Sequence, residues 1–275
     1  MKKVETIGIS KQQSYVLTLQ AIILLFIGGA IFSSSTGTND FRSVGYVGIF
    51  AYLGTIIIHE LLHGIGFMLS GARPKFGVGI AGVVPVAYAT SDTKIRVPGM
   101  LFTAYLPFVV LSAFFLALAR VFPQYQALAM IGFLGNFTGA VGDLWIAGKL
   151  WKYLRFNDTQ VLDRKAGLEV FSDSKLALAL GTKSTKKSQQ NGTFGKRWAI
   201  SSLAIIVVQL FMPVLVTLLG FEGNFRLGFK SFFFFEMTVN EGGSAAGATF
   251  NFLVPLLLGL IFAMVAKIIE KKPSK

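Results

Sequence analysis

The chain of 275 residues has two histidines, and they stand four apart in His59-Glu60-Leu61-Leu62-His63. On a helix, positions four apart share a face, so both imidazoles can reach one ion while Glu60 projects beside it. Two neutral imidazoles plus a carboxylate suit zinc and leave a position for water. Such a centre polarises a carbonyl and activates water, and a neighbouring carboxylate can move the proton. The plain alternative is a pair of imidazoles hydrogen-bonded across a packed helix interface.

The elements that must hold these residues are unusual for a soluble enzyme. The pair lies in an apolar run from Val44 to Leu69; apolar residues make up 53% of the chain and charged residues 14%, and the mean hydropathy is +0.63. A soluble domain carries about a quarter charged residues. Stretches long enough to cross a hydrocarbon core of roughly 30 Å recur at 15–33, 44–70, 98–120, 126–149, 198–220 and 249–269. The sequence predicts an all-α polytopic membrane protein of about six transmembrane helices. The first stretch follows Lys2 and Lys3, but it exceeds a signal-peptide core and lacks a small-residue cleavage site. It reads as a retained span.

The formal charge of +13 raises nucleic-acid binding, and its distribution argues against it. Lys2, Lys3 and Lys11 precede span 1, and Arg73, Lys75, Lys94 and Arg96 follow span 2. The densest basic stretch, Lys149 to Arg197, separates spans 4 and 5, and Lys267, Lys271, Lys272 and Lys275 close the chain. Alternate connections hold Asp40 with Arg42, then Arg120, then Glu222, Glu236 and Glu241 against Arg226 and Lys230. This is the positive-inside pattern of a multi-pass cell-membrane protein with both termini cytoplasmic. The basic loops would meet anionic lipid heads, and no nucleic-acid partner is expected. Absence of cysteine removes disulfides and thiolate ligands, and no inverted repeat of the transporter kind is visible. The polar stretch Lys183–Gly192 divides a core carrying the motif, 1–182, from a C-terminal two-span region, 197–275, with 183–196 as a flexible basic linker.

The histidines fall in the cytoplasmic half of span 2, a depth at which ionisable groups are costly and mark function. The acidic residues well inside the proposed spans are Glu60 and Asp143. Asn136 and Asp143, both in span 4, are seven apart, about two helical turns on one face. Gly132, Gly135, Gly139 and Gly142 flank that face, as small residues do where membrane helices approach closely, and Gly54, Gly64 and Gly66 offer the same on span 2. Asp143 is the candidate third ligand and Asn136 a deeper site residue; the alternative is a glycine packing seam with Asp143 paired to Lys149 or Lys152. Within 73–96, Arg73 to Thr90 alternates small residues with branched and aromatic ones, with Pro85 as a break, and predicts a small β-hairpin at the cytoplasmic face. Its edge could hold an extended peptide by strand addition, or the hairpin is a plain connection. Between spans 5 and 6, Phe232–Phe235 predict an aromatic cluster at the outer interface, ahead of the small-residue run Gly242–Gly247.

A span with His-Glu-x-x-His, a glycine-rich hairpin after it and a later span with Asn136 and Gly142-Asp143 resemble, over about residues 44–150, the bacterial polytopic membrane family of zincin peptidases. That family is similar to the site-2 protease clan of intramembrane metalloproteases. In the clan the later motif is Asn-Pro followed by Leu-Asp-Gly. Here Phe137 follows Asn136, and Asp143 lies between Gly142 and Leu144. The resemblance implies zinc held by His59, His63 and Asp143, and hydrolysis of peptide bonds in or next to membrane segments of a protein or peptide substrate. Glu60 would serve as general base and then general acid, and Asn136 would hydrogen-bond the oxyanion or orient the peptide. A metal-binding membrane transporter and an inactive protease-like scaffold are the alternatives. A transporter needs polar residues spread over several spans, and spans 1, 3, 5 and 6 offer little of that.

Overall fold

Among the residues described by the computed structural model (1–9, 11–36, 47–81, 84–164, 167–218, 223–229, 232–240 and 245–270), five helices are long and apolar enough to cross a membrane. In chain order the elements are β1 (Lys2–Ile7), α1 (Lys11–Thr36), α2 (Val47–Leu69), β2 (Pro74–Ala81), β3 (Val84–Ser91), β4 (Ile95–Arg96), α3 (Val97–Val121), α4 (Gln126–Gly139) and α5 (Val141–Leu150). They continue with β5 (Gln160–Arg164), β6 (Gly167–Ser172), α6 (Lys175–Leu218), β7 (Gly223–Phe229), β8 (Phe232–Val239), β9 (Ala245–Phe250) and α7 (Leu253–Glu270). The crossing segments coincide with the first five expected spans. The apolar part of α7, Leu253–Ile268, is shorter than the other five. The chain divides into two units, Met1–Ser10 with Gln20–Ser188, and Lys11–Leu19 with Gln189–Lys275.

The expectation of helices plus one hairpin understates the β-structure. In the first unit β1, β6, β5 and β4 form a four-stranded antiparallel sheet in that order. β6 alternates: Leu168, Val170 and Ser172 are buried while Gly167, Glu169 and Phe171 between them are not. Each run is short and stands in a charged flank of a span, which hides the period of two. The sheet gathers the segment before α1, the connection between α2 and α3, and the segment after α5 on one side of the helices. Glu5 fastens it, accepting from the Tyr153 hydroxyl at 2.6 Å and from Lys152 at 2.6 Å.

The expected hairpin is β2–β3, paired without a slip from Pro74↔Ser91 to Ala81↔Val84, with Pro85 at the second position of β3. It starts where α2 stops. Gly71 has φ +82°, its N–H reaches the carbonyl of Met68, and Ala72 reaches back to that of Phe67. A side chain would resist that left-handed turn.

Glycines set the helix spacing, though not as one seam. A Cβ on Gly66 would lie 2.8 Å from Cα of Thr103, so bare backbone is what lets α2 and α3 touch. Gly64 receives the Phe76 ring of the hairpin, Gly132 that of Phe115 and Gly135 that of Tyr52, while Gly54, Gly139 and Gly142 face open space. The expected span 4 is two helices, α4 and α5, interrupted at Ala140, whose ψ is 0°. A core of Phe32, Leu111, Phe115, Met130, Phe133 and Phe137 binds α1, α3 and α4.

In the second unit α6 and α7 pack closely at Gly259, where a Cβ would lie 2.7 Å from the Ser202 nitrogen. The β7–β8–β9 sheet buries Phe235, Met237 and Val239 against Val216. The Phe232–Phe235 run is therefore strand, with Phe235 facing a core. Residues 183–196, expected as a flexible linker, lie within α6; lysine and glutamine are good helix formers, and polarity alone does not break a helix. The connection carrying Asp40 and Arg42, and also Glu222, Lys230, the Glu241–Ser244 run and Lys271–Lys275, lie outside the described residues.

Candidate metal centre

Four elements place the site. α2 carries His59, Glu60 and His63 on adjacent turns, α3 supplies a backbone carbonyl, α4 supplies Asn136 and α5 supplies Asp143. Nε2 of His59 lies 3.1 Å from Nε2 of His63 and 3.1 Å from Oδ2 of Asp143, and the third edge, His63 to Asp143, is 3.4 Å. Bonds to zinc of 2.0–2.2 Å in a tetrahedron separate ligand atoms by about 3.3 Å. The triangle fits that spacing.

The outer ring nitrogens explain why the inner ones point inward. Asn136 donates through Nδ2 to the carbonyl of Phe108 at 3.3 Å and to Oγ of Ser112 at 3.1 Å. Its Oδ1 must then accept, and it takes the Nδ1–H of His59 at 2.9 Å. The Nδ1–H of His63 donates to the Thr103 carbonyl at 2.9 Å. A carbonyl inside a helix normally accepts from the N–H four residues on, and here that residue is Pro107, which has none. Both imidazoles are thereby held as Nδ1–H tautomers with bare Nε2 lone pairs. Two lone pairs and a carboxylate oxygen within 3.4 Å of one another repel unless positive charge sits among them, and the donor set is one that zinc takes.

Glu60 stands outside the triangle, with its carboxylate within 4.8 Å of the ligand nitrogens and the Ala89 N–H of β3 against it. With His63 and Asp143 it faces a cavity of about 600 Å³ whose other walls include Tyr88 and Thr90 of β3 and Asp163 of β5. Burial pushes the Asp163 carboxyl up to about 7; Asp143 and Glu60 add to this, while His63 and the Thr90 hydroxyl oppose it.

All five residues expected at the site meet there. The role expected of Asn136 is corrected. An oxyanion needs a donor, and both amide hydrogens of this buried side chain are spent on Phe108 and Ser112. It orients His59. The sequence reading passed over Thr103, Ser112 and Asp163. Pro107 inside an apolar span signalled a freed carbonyl four residues earlier; nothing in the sequence singled out Asp163.

These features define a metal-dependent hydrolase site on membrane-length helices. Residues 52–155 match the model of a family described as "Putative zincin peptidase". With the His59-Glu60-His63 constellation, the match over this segment supports a metallopeptidase whose metal is zinc. No curated protein and no solved structure gives a match.

Proposed function

We propose that the protein hydrolyses peptide bonds in or next to membrane segments, at a zinc centre held by His59, His63 and Asp143. The observation that carries this is the triangle of acceptor atoms with both histidines locked by Asn136 and Thr103. When bound, zinc supplies a Lewis acid that activates water and polarises the scissile carbonyl. Glu60, beside the triangle and open to the cavity, accepts the proton of the attacking water and delivers it to the leaving amine. Asn136 and Thr103 keep the lone pairs aimed, which is the work of residues behind a ligand. The Ala89 N–H against Glu60 brings β3 beside the site, which supports an extended substrate laid along the rest of β3, since strand addition leaves carbonyls in register with a fixed edge.

His63 lies six residues, about 9 Å, from the end of α2. The sheet on that side carries Lys2, Lys3, Arg96 and Arg164, with Lys94 just ahead of β4, which supports a cytoplasmic face, both termini inside and substrate met within or just beyond the membrane. An acid from a later helix completing a His-Glu-x-x-His site supports kinship with the site-2 protease clan.

Protein purified in mild detergent should hold about one zinc per chain, and a co-expressed single-span membrane reporter should be cut. Glu60→Gln should keep its zinc and lose cleavage by a hundredfold or more. Cleavage at the wild-type rate by Glu60→Gln ends the mechanism. Zinc held without cleavage of any membrane reporter points instead to a metal-binding scaffold.

A further inference from the structure

We propose that the second unit holds a site for an anionic phospholipid, in a cleft between α6 and α7. The cleft encloses about 520 Å³, and along α6 it is lined by Thr193, Lys196, Arg197, Ile200 and Ser201. Those positions follow the three- and four-residue spacing of one helix face. α7 contributes Phe262 and Ala266.

Its chemistry changes along its length. The two cations lie within about one turn of Thr193, where the membrane-length part of α6 begins; Ser201, a further turn along, donates its hydroxyl to the Arg197 carbonyl at 2.8 Å, and Ile200, Phe262 and Ala266 provide the apolar wall. Among the described residues that line it there is no carboxylate. A fixed pair of cations over an apolar floor matches a phosphodiester headgroup with the first part of an acyl chain below it. A free phosphate would use the cations alone.

Aromatic rings around the polar end place it at headgroup depth. Lys196 stands 5.8 Å from the Tyr15 ring centre and Lys267 stands 5.4 Å from that of Phe194, while the Trp198 indole donates to the Leu256 carbonyl at 3.0 Å. Tyrosine and tryptophan gather at that level of a bilayer. Basic side chains there draw anionic lipid, and the guanidinium forms paired bonds to phosphate oxygens.

The test is native mass spectrometry of the full chain in mild detergent, titrated with phosphatidylglycerol, with phosphatidylcholine and with inorganic phosphate. Wild type should retain one phosphatidylglycerol at least tenfold more tightly than phosphatidylcholine, undisturbed by millimolar phosphate. Lys196→Gln with Arg197→Gln should weaken that binding about thirtyfold, and Lys94→Gln, a basic residue of the first unit, should leave it unchanged. Equal retention of the two lipids by wild type overturns the proposal whether or not the double variant folds. So does wild-type affinity in the double variant, an equal loss in Lys94→Gln, or displacement by inorganic phosphate.

Discussion

The helices around the histidines and the α6–α7 pair are made of similar apolar material, and they use their buried polar atoms in opposite ways. In the first unit those atoms converge. Asn136, the Thr103 carbonyl, both histidines and Asp143 join in one hydrogen-bonded set around a single point. In the second unit they are spread along one helix, with Ser202 and Gln209 fully buried and seven residues apart and the Gln209 amide donating to the Asn251 carbonyl at 3.3 Å. Buried polar groups in an apolar medium are costly in both places. Spread out, they make single contacts, as Gln209 does with the segment ahead of α7; converged, they leave an acceptor cluster that only a cation can quiet.

The comparison breaks first at the ligands. His63→Ala or Asp143→Asn should empty the centre of zinc and take cleavage down by a thousandfold or so, since ligand, lone-pair geometry and charge fall together. Gln209→Leu, equally buried, should leave zinc and cleavage untouched and shift stability by about 1 kcal/mol. Metal analysis and reporter cleavage on the same preparations decide it. Full zinc in Asp143→Asn would move the third ligand elsewhere and restore the glycine-seam reading of α4 and α5.

Two glycines sharpen the contrast because their surroundings match. A side chain at Gly66 meets backbone at 2.8 Å and one at Gly259 meets backbone at 2.7 Å, so Gly66→Val and Gly259→Val should each cost about 1–3 kcal/mol through overpacking. Their other consequences should differ. Separating α2 from α3 pulls the Thr103 carbonyl off His63, so Gly66→Val should also weaken zinc binding, whereas Gly259→Val should not. Competition with a chelator, run beside thermal melting, reads both.

What the sequence revealed depended on how local each feature is. His59, Glu60 and His63 were legible because five consecutive residues hold the spacing. Asp143 was legible because so few acids lie within the apolar spans. Asn136 was found with the wrong task, since only the positions of Phe108 and Ser112 show that its donors are used up. The sheet was hidden because β1 and β6 meet across more than 160 residues and each reads alone as a charged flank. Pro107 stood in plain view, but its effect depends on α2 passing close enough for His63 to use what it frees.

That dependence gives a smaller, cleaner effect. Pro107→Ala puts an N–H back where the Thr103 carbonyl can accept it within α3, and His63 then shares its partner. Zinc affinity should fall about tenfold or somewhat more, the range seen when the group behind a ligand is lost, while helix propensity favours the variant. Unchanged affinity would mean that the carbonyl serves His63 whether or not the helix competes for it.

The smallest effect is at Asp163, and it is read in metal-free protein so that no ion alters the field. Burial holds this carboxyl near 7 in the fold, against about 3.9 in an unfolded chain. A raised carboxyl favours the fold while protonated. That stability is fully present below about pH 4, declines as the unfolded chain ionises, and is gone once pH has risen through 7. Water in the cavity screens the ionised form, so the loss should be on the order of 1 kcal/mol. Asp163→Asn keeps the shape and does not titrate. With zinc chelated, wild type should lose melting temperature relative to Asp163→Asn between pH 4 and pH 7, with no further divergence above pH 8. Parallel profiles would mean that the carboxyl is already ionised in the fold, and the cavity wetter than its walls imply. Divergence in the opposite sense, with wild type gaining on the variant as pH rises, would mean that a cationic partner holds it charged.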